Sequence, residues 1–323
     1  MFHQTHTRCI VFAISMLGLA LYVILGGFFA GEIVVKIAVL AIIAISIDVV
    51  AGFGGMVSLC HGAIMGLSAY TYGVLTVKFG VPALPASIAA IGVAATFGTM
   101  IGWVTGRTSG IFFIMATLAF GQMAYTLIFK SRWLGGDDGM GGLPRFDASD
   151  FGLDMNNTVT FAFYAIAGIV VCYAAAGCVL RSAFGRTLAG IHTNEARMKA
   201  FGVNTILHRA RAMGFSSLLS GVAGIIAAQH TQYISPELLF WTVSGEALIV
   251  VILGGLGTLT GPVIGAMAFV LLKHQISSLT DYWHIVIGLL LILIVVSGGR
   301  GLFGQYEHWR STHTQKTAKT NYA

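Results

Sequence analysis

Seven polar or ionisable side chains interrupt the long apolar runs of this chain. They are Asp48, Ser58, His61, Gln122, His230, Ser244 and Glu246. Inside a lipid bilayer such a side chain is costly, by about 3 kcal/mol for a charged residue at the centre, so each one is a candidate functional residue. We predict that five of them line a path for a solute: Ser58, His61, Gln122, Ser244 and Glu246.

These residues do not form a recognisable catalytic or metal-binding pattern. The chain contains no HExxH motif and no Ser/His/Asp or Cys/His arrangement that rises above chance. The acidic stretch 131–157 lacks the spacing of a calcium-binding loop, and contact with a soluble partner is the better interpretation. The cysteines lack CxxC spacing, and we interpret them as small apolar residues in packed helices: Cys9, Cys60, Cys172 and Cys178. We therefore predict no metal site and no enzymatic reaction.

Simpler structural roles are alternatives at several of the polar positions. Asp48 is placed to cap a helix or to meet Arg107. His230 lies near a helix end, where its ring can reach the membrane interface. A hydrogen bond between helices is the corresponding alternative for three more residues: His61, Gln122 and Glu246.

The composition identifies a polytopic membrane protein. Hydrophobic residues make up 56% of the chain and charged residues only 9%, which is more apolar surface than a soluble domain can bury. Since a transmembrane helix needs about 20 apolar residues, we predict ten helices. They lie near residues 9–29, 33–51, 56–77, 84–105, 109–130, 158–180, 210–232, 243–254, 260–276 and 283–299. The predicted fold class is an all-α transmembrane helical bundle.

Three segments need separate comment. The first apolar run is longer than the core of a signal peptide, so we interpret it as a retained transmembrane helix. The eighth is too short to cross as a regular helix and is therefore either broken or re-entrant. One membrane domain is predicted over residues 1–304, and the polar tail 305–323 is expected to be disordered.

Two glycine-rich segments interrupt the apolar runs, AGFGGMVSLCHGAIMG at 51–66 and LGGLGTLTGPVIGA at 253–266. Paired segments of this kind mark discontinuous helices near the substrate path of transporters. The glycines predicted to break helices are Gly54, Gly55, Gly62, Gly254, Gly255, Gly257 and Gly261. Small residues at spacings of three or four also predict a helix face for close packing: Ser58, Gly62, Gly66, Ala69 and Gly73.

A hydrophilic stretch at 181–211 carries six of the basic residues and one acid. Placing it in the cytoplasm with both termini satisfies the positive-inside rule, with Lys36 and Lys273 among the residues outside. Asn194 is a good helix N-cap, Glu195 suits the first turn, and Gly202 suits the residue after the helix. The stretch is either a docking surface for a soluble protein or a helix lying on anionic lipid.

Four segments resemble one family of transporters. They are GFGGMVSLCHGAIMGLSAY (52–70), MATLAFGQ (115–122), FGRTLAGIHTNEARMKAFGVN (184–204) and EALIVVILGGLGTLTGPVIGA (246–266). In this order and spacing they resemble the LivM-type permease subunits of ATP-binding-cassette (ABC) importers for branched-chain amino acids. The residues that the resemblance assigns to coupling with an ATPase are Arg186, Asn194, Glu195 and Gly202. Cys60 and His192 depart from the common pattern, which has glycine and arginine at these positions.

The resemblance implies a bacterial inner-membrane importer. Its other subunits would be a second related permease, two ABC ATPases and a periplasmic or lipid-anchored binding protein, with no role for nucleic acid. The chain has no GxxxxGK[ST] motif, so ATP and Mg²⁺ would bind the partner ATPases and this chain would need no cofactor. Urea or short amides are the alternative substrates. A stand-alone secondary carrier is the alternative class of protein.

Overall fold

The structure, a computed structural model, describes residues 6–146 and 154–278, together with residues 285, 288, 289 and 292. Its helices are α1 (His6–Asp48), α2 (His61–Gly73), α3 (Ala83–Thr105), α4 (Ile111–Lys130), α5 (Thr158–Arg181), α6 (Ala183–Thr193), α7 (Glu195–Ala200), α8 (Thr205–Thr231), α9 (Trp241–Gly254) and α10 (Gly261–Ser277). Two short strands, β1 (Met140–Gly141) and β2 (Tyr233–Ile234), pair antiparallel. The fold is that of an all-α membrane protein, as predicted.

Within the described residues, five helical stretches are long and apolar enough to span a membrane. They are Arg8–Phe53, Ala83–Thr105, Ile111–Lys130, Thr158–Arg181 and Thr205–Thr231. The predicted helices 84–105, 109–130 and 158–180 agree with α3, α4 and α5 to within two residues. Most of the predicted helix 283–299 and all of the tail 305–323 lie outside the described residues, so the count of ten stays a prediction.

The first two predicted helices are the two arms of α1. A straight helix of 43 residues would be about 64 Å long, twice the thickness of a bilayer core. Gly27 breaks it with φ 60° and ψ −134°. Phe12 stacks on Tyr173, Tyr173 hydrogen-bonds Thr260, and the segment beside Thr260 contacts Asp48. Both ends of α1 therefore lie close together, and its arms form a hairpin that turns at Gly27.

The third predicted helix is shorter than expected. Residues 55–60 are not helical, and α2 begins only at His61. A π-helical turn, Val74–Lys78, follows its last residue, Gly73. Ser58 was predicted to share the small-residue face but lies in the non-helical stretch. The glycines before it leave the α-helical path, so the helix starts later than the apolar run does.

The glycine face of α2 packs against the chain that follows α8. A Cβ atom on Gly73 would lie 2.8 Å from Ile234, and one on Gly66 would lie 2.5 Å from Leu239. One on Gly62 would lie 3.0 Å from Ser244. Residues 234–244 therefore run antiparallel to α2, at a distance that only glycine permits.

This packing explains the short eighth segment. The 14 residues of α9 extend about 21 Å, less than a bilayer core of about 30 Å. The preceding residues start beside Gly73, at the end where α8 finishes, and Gly257 after α9 contacts Asp48 near the other end. The eighth segment therefore consists of a 3₁₀ turn, Pro236–Leu239, that packs along α2, followed by the short helix α9.

Small residues also bring α3 and α8 together. A Cβ atom on Gly98 would lie 1.7 Å from the Ser217 hydroxyl, and one on Gly102 would lie 2.6 Å from Met213. In the other direction, a Cβ atom on Gly214 would meet Thr99 at 2.0 Å. Close packing of backbones is how transmembrane helices associate, since lipid is as apolar as the side chains it would replace.

Candidate functional site

Helix α7 has a defined cap at each end. Asn194 Oδ1 accepts a hydrogen bond of 2.9 Å from the backbone N–H three residues later. At the other end, the N–H of Gly202 donates to Lys199 O and the N–H of Val203 donates to Met198 O. Gly202 has φ 81°, so this is a Schellman motif, which needs a residue in the left-handed region. Both caps are where the sequence predicted them.

Glu195 is directed back toward α8. Its Oε2 accepts a hydrogen bond of 2.8 Å from Arg209 Nη2. Its Oε1 accepts bonds from Lys199 Nζ at 2.8 Å and from Thr205 Oγ1 at 3.1 Å. The hydrogen bond from Lys199, followed by the charge of Arg209, holds the pKa of Glu195 below its usual value. The carboxylate is therefore ionised at neutral pH and ties α7 to α8.

Arg209 joins this cluster to the membrane helices. Its side chain is only 10% exposed, and its Nη1 donates to Gly106 O at 3.1 Å, just after α3. We call Glu195, Lys199, Thr205 and Arg209 the clamp. The predicted loop 181–211 is therefore too long at its end, because α8 begins at Thr205. Paired polar side chains in the first turns of α8 are buried, so apolar character alone does not locate its start.

Helix α6 packs against Gly54 and Gly55, where the first glycine-rich segment leaves the helical path. We call these two residues the first break, and residues 255–260 between α9 and α10 the second break. Leu188 is fully buried, and a Cβ atom on Gly54 would lie 3.4 Å from it. Gly55 has φ 68°, and a Cβ atom there would lie 2.4 Å from the His192 ring. His192, one of the departures from the family pattern, thus covers the break directly. Helix α6 is therefore packed directly against residues 54 and 55.

Asp48 connects the two glycine breaks. Its carboxylate is fully buried, with Oδ1 accepting from the Gly257 N–H at 2.6 Å and Oδ2 from the Leu259 N–H at 3.0 Å. A Cβ atom on Gly52 would lie 2.4 Å from Gly257 N. Neither predicted alternative is correct, because the side chain makes no helix cap and no ion pair with Arg107 is found among the described residues. We call this meeting point the Asp48 junction.

The second break has the conformation expected of glycine. Gly254 ends α9, and Gly261 begins α10. Between them, Gly255 has φ 115° and Gly257 has φ 74°, values that are strained for residues with a side chain. Gly62 was wrongly predicted to break a helix. It lies inside α2, where its missing side chain lets α2 approach Ser244.

A buried hydrogen-bond network surrounds the start of α2. His61 Nε2 is 2.7 Å from Ser216 Oγ, and Ser220 Oγ donates to His61 O at 2.9 Å. The N–H of Gly62 donates to Ser244 Oγ at 2.8 Å. His61, Ser216, Ser220 and Ser244 are fully buried, so in this conformation they hold α2 against α8 and α9. Ser58 bonds locally to Cys60 Sγ at 3.2 Å.

Residues 29–295 match the family described as the permease component of the branched-chain amino acid transport system. The chain belongs to this family. It is 24% identical over 288 residues to the high-affinity branched-chain amino acid transport system permease protein LivM of Escherichia coli (strain K12), covering 81% of this chain and 67% of that protein. It is 27% identical over 259 residues to the autoinducer 2 import system permease protein LsrC of Yersinia pestis (strain Pestoides F), covering 74% and 68%. No solved structure matches.

Membership confirms the resemblance to LivM-type permeases and identifies the chain as an ABC-transporter permease. The remaining site residues can be placed on that permease. Arg186 is exposed on α6 and its Nη1 donates to Arg181 O at 2.9 Å. Gln122 lies on α4, where its backbone carbonyl accepts a bond from Thr126 Oγ1 at 2.8 Å. Glu246 is separate from the His61 network, and its Oε1 accepts a bond from Lys273 Nζ at 3.1 Å.

Helices α6 and α7 present an exposed face. Leu188 and Ile191 of α6 are buried, whereas Phe201 after α7 is 74% exposed. Arg197 and Lys199 are exposed beside Phe201. We call Arg197, Lys199 and Phe201 the outward face. An exposed aromatic ring with exposed cations two and four residues before it suits contact with another protein.

Three charged residues within helices were not predicted as site residues from the sequence. Lys36 and Lys273, which were assigned to the outside, lie within α1 and α10. Glu32 was not considered, although its spacing of four from Lys36 places both on one helix face.

Among the described residues, no cluster of three or more metal-ligating side chains occurs. Asp147 and Asp150 of the acidic stretch lie outside the described residues.

Proposed function

We propose that this chain is a permease subunit of an ATP-driven importer that carries branched-chain or other hydrophobic amino acids across the bacterial inner membrane. The observation that carries the proposal is the packing of α6 against Gly54 and Gly55, where the transmembrane segment leaves the helical path. In a chain of this family, a cytoplasmic helix packed on a break in a transmembrane segment is a lever that a soluble partner can move.

The proposed complex contains a second related permease, two ABC ATPases and a periplasmic or lipid-anchored binding protein. ATP and Mg²⁺ bind the ATPases, so the permease itself carries no cofactor and catalyses no reaction. Both of its termini lie in the cytoplasm, on the side of the basic residues of α6 and α7. Arg186, Asn194, Glu195 and Gly202 serve coupling by keeping these two helices in shape.

In this mechanism the ATPase binds the outward face. Closure of the ATPases displaces α7, and the ion pair of Glu195 with Arg209 keeps α7 and α8 moving together. Helix α6 transfers the displacement to Gly54 and Gly55. Asp48 then passes it to residues 257–259, which join α9 to α10. The permease thereby changes which end of the solute path is open.

The substrate is proposed from the family and from the LivM relatives. The LsrC relatives import autoinducer 2, so the family is not restricted to amino acids. Urea and short amides remain the alternative. A stand-alone carrier is the alternative mechanism, in which α6 and α7 would rest on lipid and transport would not require ATP.

The test is a single change on the outward face. Phe201→Ser removes an exposed ring with little effect on folding, since substitutions at exposed positions usually change stability by about 0.5 kcal/mol or less. Phe79→Ser is the matched control, because Phe79 is 65% exposed and lies far from α7, beside the π-helical turn at 74–78. The measurement is mass spectrometry of the proteins that co-purify from gently solubilised native membranes.

We expect the unmodified chain and Phe79→Ser to bring down an ABC ATPase and a second permease. Phe201→Ser should lose at least nine-tenths of the ATPase and retain the second permease. Recovery of the unmodified chain alone would contradict the importer. Recovery of full ATPase with Phe201→Ser would remove the outward face from the mechanism.

A further inference from the structure

A cavity of about 630 Å³ opens between α1, α8, α9 and α10. It lies toward the outer ends of these helices, since His230 in its wall is one residue from the end of α8. Its size is within the range of pockets that bind small molecules, about 300–1,000 Å³. The buried His61 network described above has no residue in its lining.

Charged side chains of both signs converge on this cavity from α1, α9 and α10, and α8 adds the imidazole of His230. Glu246 on α9 pairs with Lys273 on α10 at 3.1 Å. Glu32 on α1 pairs with His230 on α8 at 3.1 Å, and Lys36 lies one turn further along α1. Two carboxylates and two ammonium groups therefore face one space of the membrane domain.

Most of the remaining wall is apolar. Val39, Leu40 and Ile43 contribute from α1, and Val243 and Phe269 contribute from α9 and α10. A solute that satisfied both parts of the cavity would have an ammonium group, a carboxylate and an aliphatic side chain. A free amino acid with a hydrophobic side chain has all three.

The ion pair of Glu246 and Lys273 is accessible rather than sealed. Its side chains are 38% and 36% exposed, whereas His61 and Ser244 are fully buried. An ion pair at membrane depth is costly unless it faces water or a partner. An accessible pair can exchange its internal contact for contacts with a zwitterion, so that no charge is left uncompensated.

We propose that this cavity binds a zwitterionic amino acid with an apolar side chain. Glu246 receives the ammonium group, Lys273 receives the carboxylate, and the apolar wall holds the side chain. Glu32 and Lys36 provide a second pair of charges at the mouth. The inference rests on the proposed function, and it assigns the solute site of that permease.

The position of the cavity links it to the cytoplasmic helices. Helix α1 ends at Asp48, α9 ends at Gly254, and α10 begins at Gly261. All three therefore end near the Asp48 junction, and α6 contacts the neighbouring residues Gly54 and Gly55. A displacement at the junction would change the separation of Glu246 from Lys273, and with it the affinity for the amino acid.

The experiment is a ligand-observed NMR titration of the purified membrane complex, the two permeases with their ATPases but without the substrate-binding protein, because this method measures affinities into the millimolar range. The probes are L-leucine, 4-methylpentanoate, which lacks the ammonium group, and 3-methylbutylamine, which lacks the carboxylate. Urea is the fourth probe. We expect L-leucine to bind at least tenfold more tightly than any of the other three.

Variants then assign the binding to this cavity. Glu246→Gln and Lys273→Met should each weaken L-leucine binding at least tenfold. Lys130→Met is the control, because Lys130 is an exposed lysine at the end of α4.

The charge-exchanged double variant Glu246→Lys/Lys273→Glu restores the ion pair, so its unfolding midpoint should match that of the unmodified protein. Its L-leucine binding should stay weak, because the apolar wall fixes the orientation of the amino acid.

Two results would overturn the site. The first is unchanged L-leucine binding in Glu246→Gln and Lys273→Met, while the transporter still imports L-leucine with ATP. In that case the proposed function stands and the site is elsewhere. The second is tighter binding of urea than of L-leucine by the unmodified transporter, which would overturn both the site and the proposed substrate.

Discussion

The clamp, at the end of the helix bundle where α6 and α7 lie, and the cavity, toward the opposite end, both depend on ion pairs, but they are assembled differently. In the clamp, Glu195 and Arg209 are 14 residues apart in the chain. In the cavity, Glu246 and Lys273 are 27 residues apart and Glu32 pairs with a residue on α8. The clamp is a local structure, whereas the cavity exists only when the helices have packed.

This difference indicates that the clamp and the cavity respond differently when the helices move. A local clamp can hold α6 and α7 in shape while the helices around the cavity move. The cavity must change when those helices move, because each one contributes a polar or charged side chain to its wall. Asp48 lies between the two regions and bonds to Gly257, 209 residues away. Changes at the clamp, at the junction and at the first break should therefore have distinguishable effects.

The largest effect is expected from Glu195→Arg, which should abolish ATP-driven uptake and leave membrane insertion intact. The new cation would face Lys199 and Arg209, and the largely buried Arg209 would lose its partner, a loss that costs about 3–5 kcal/mol for a fully buried pair and less here. L-leucine binding in the cavity should be unchanged. The measurements are uptake in reconstituted vesicles and the NMR titration.

The exchanged double variant Glu195→Arg/Arg209→Glu is the control, and it should recover part of the uptake.

The pH dependence of the stability of the chain provides a second check. Because the pKa of Glu195 is lowered in the folded chain, its stabilising contribution is complete at neutral pH. That contribution is lost only as the pH falls through the lowered value. Normal uptake by Glu195→Arg would exclude the clamp from coupling.

A smaller effect is expected from Asp48→Asn. This change should weaken the connection between the clamp and the cavity while both regions keep their structure. The amide would present a donor to one of two backbone N–H groups, and a buried group left unsatisfied costs about 1–3 kcal/mol. ATPase co-purification and L-leucine binding should persist, while uptake falls about tenfold. Asp154→Asn, an exposed change outside the membrane helices, is the control. Unchanged uptake and an unchanged unfolding midpoint would remove Asp48 from the mechanism.

The smallest effect is expected from Gly55→Ala, which tests the contact of α6 with the first break. The left-handed backbone costs about 1–2 kcal/mol for a residue with a side chain, and the new Cβ would meet the His192 ring. We expect a few-fold loss of uptake. Adding His192→Ala should restore part of it, since the steric contact disappears while the backbone strain remains. Identical single and double variants would show that α6 does not act through His192.

The local parts of this structure were predictable, and the long-range parts were not. Apolar runs located α3, α4 and α5, and the residue types at 194 and 202 predicted the caps of α7. The Asp48 junction was missed because its partners are backbone N–H groups in a distant loop, which no side-chain pattern reveals. The start of α8 was missed because a buried Arg209 resembles loop sequence until its partner Glu195 is known.

The most direct test of the account is L-leucine uptake by vesicles that contain the permease with its co-purified partners, measured with and without ATP inside the compartment that holds the ATPases. The account predicts uptake that requires ATP and is lost in Glu195→Arg. Equal uptake without ATP, by vesicles that contain this chain alone, would contradict it and identify a stand-alone carrier.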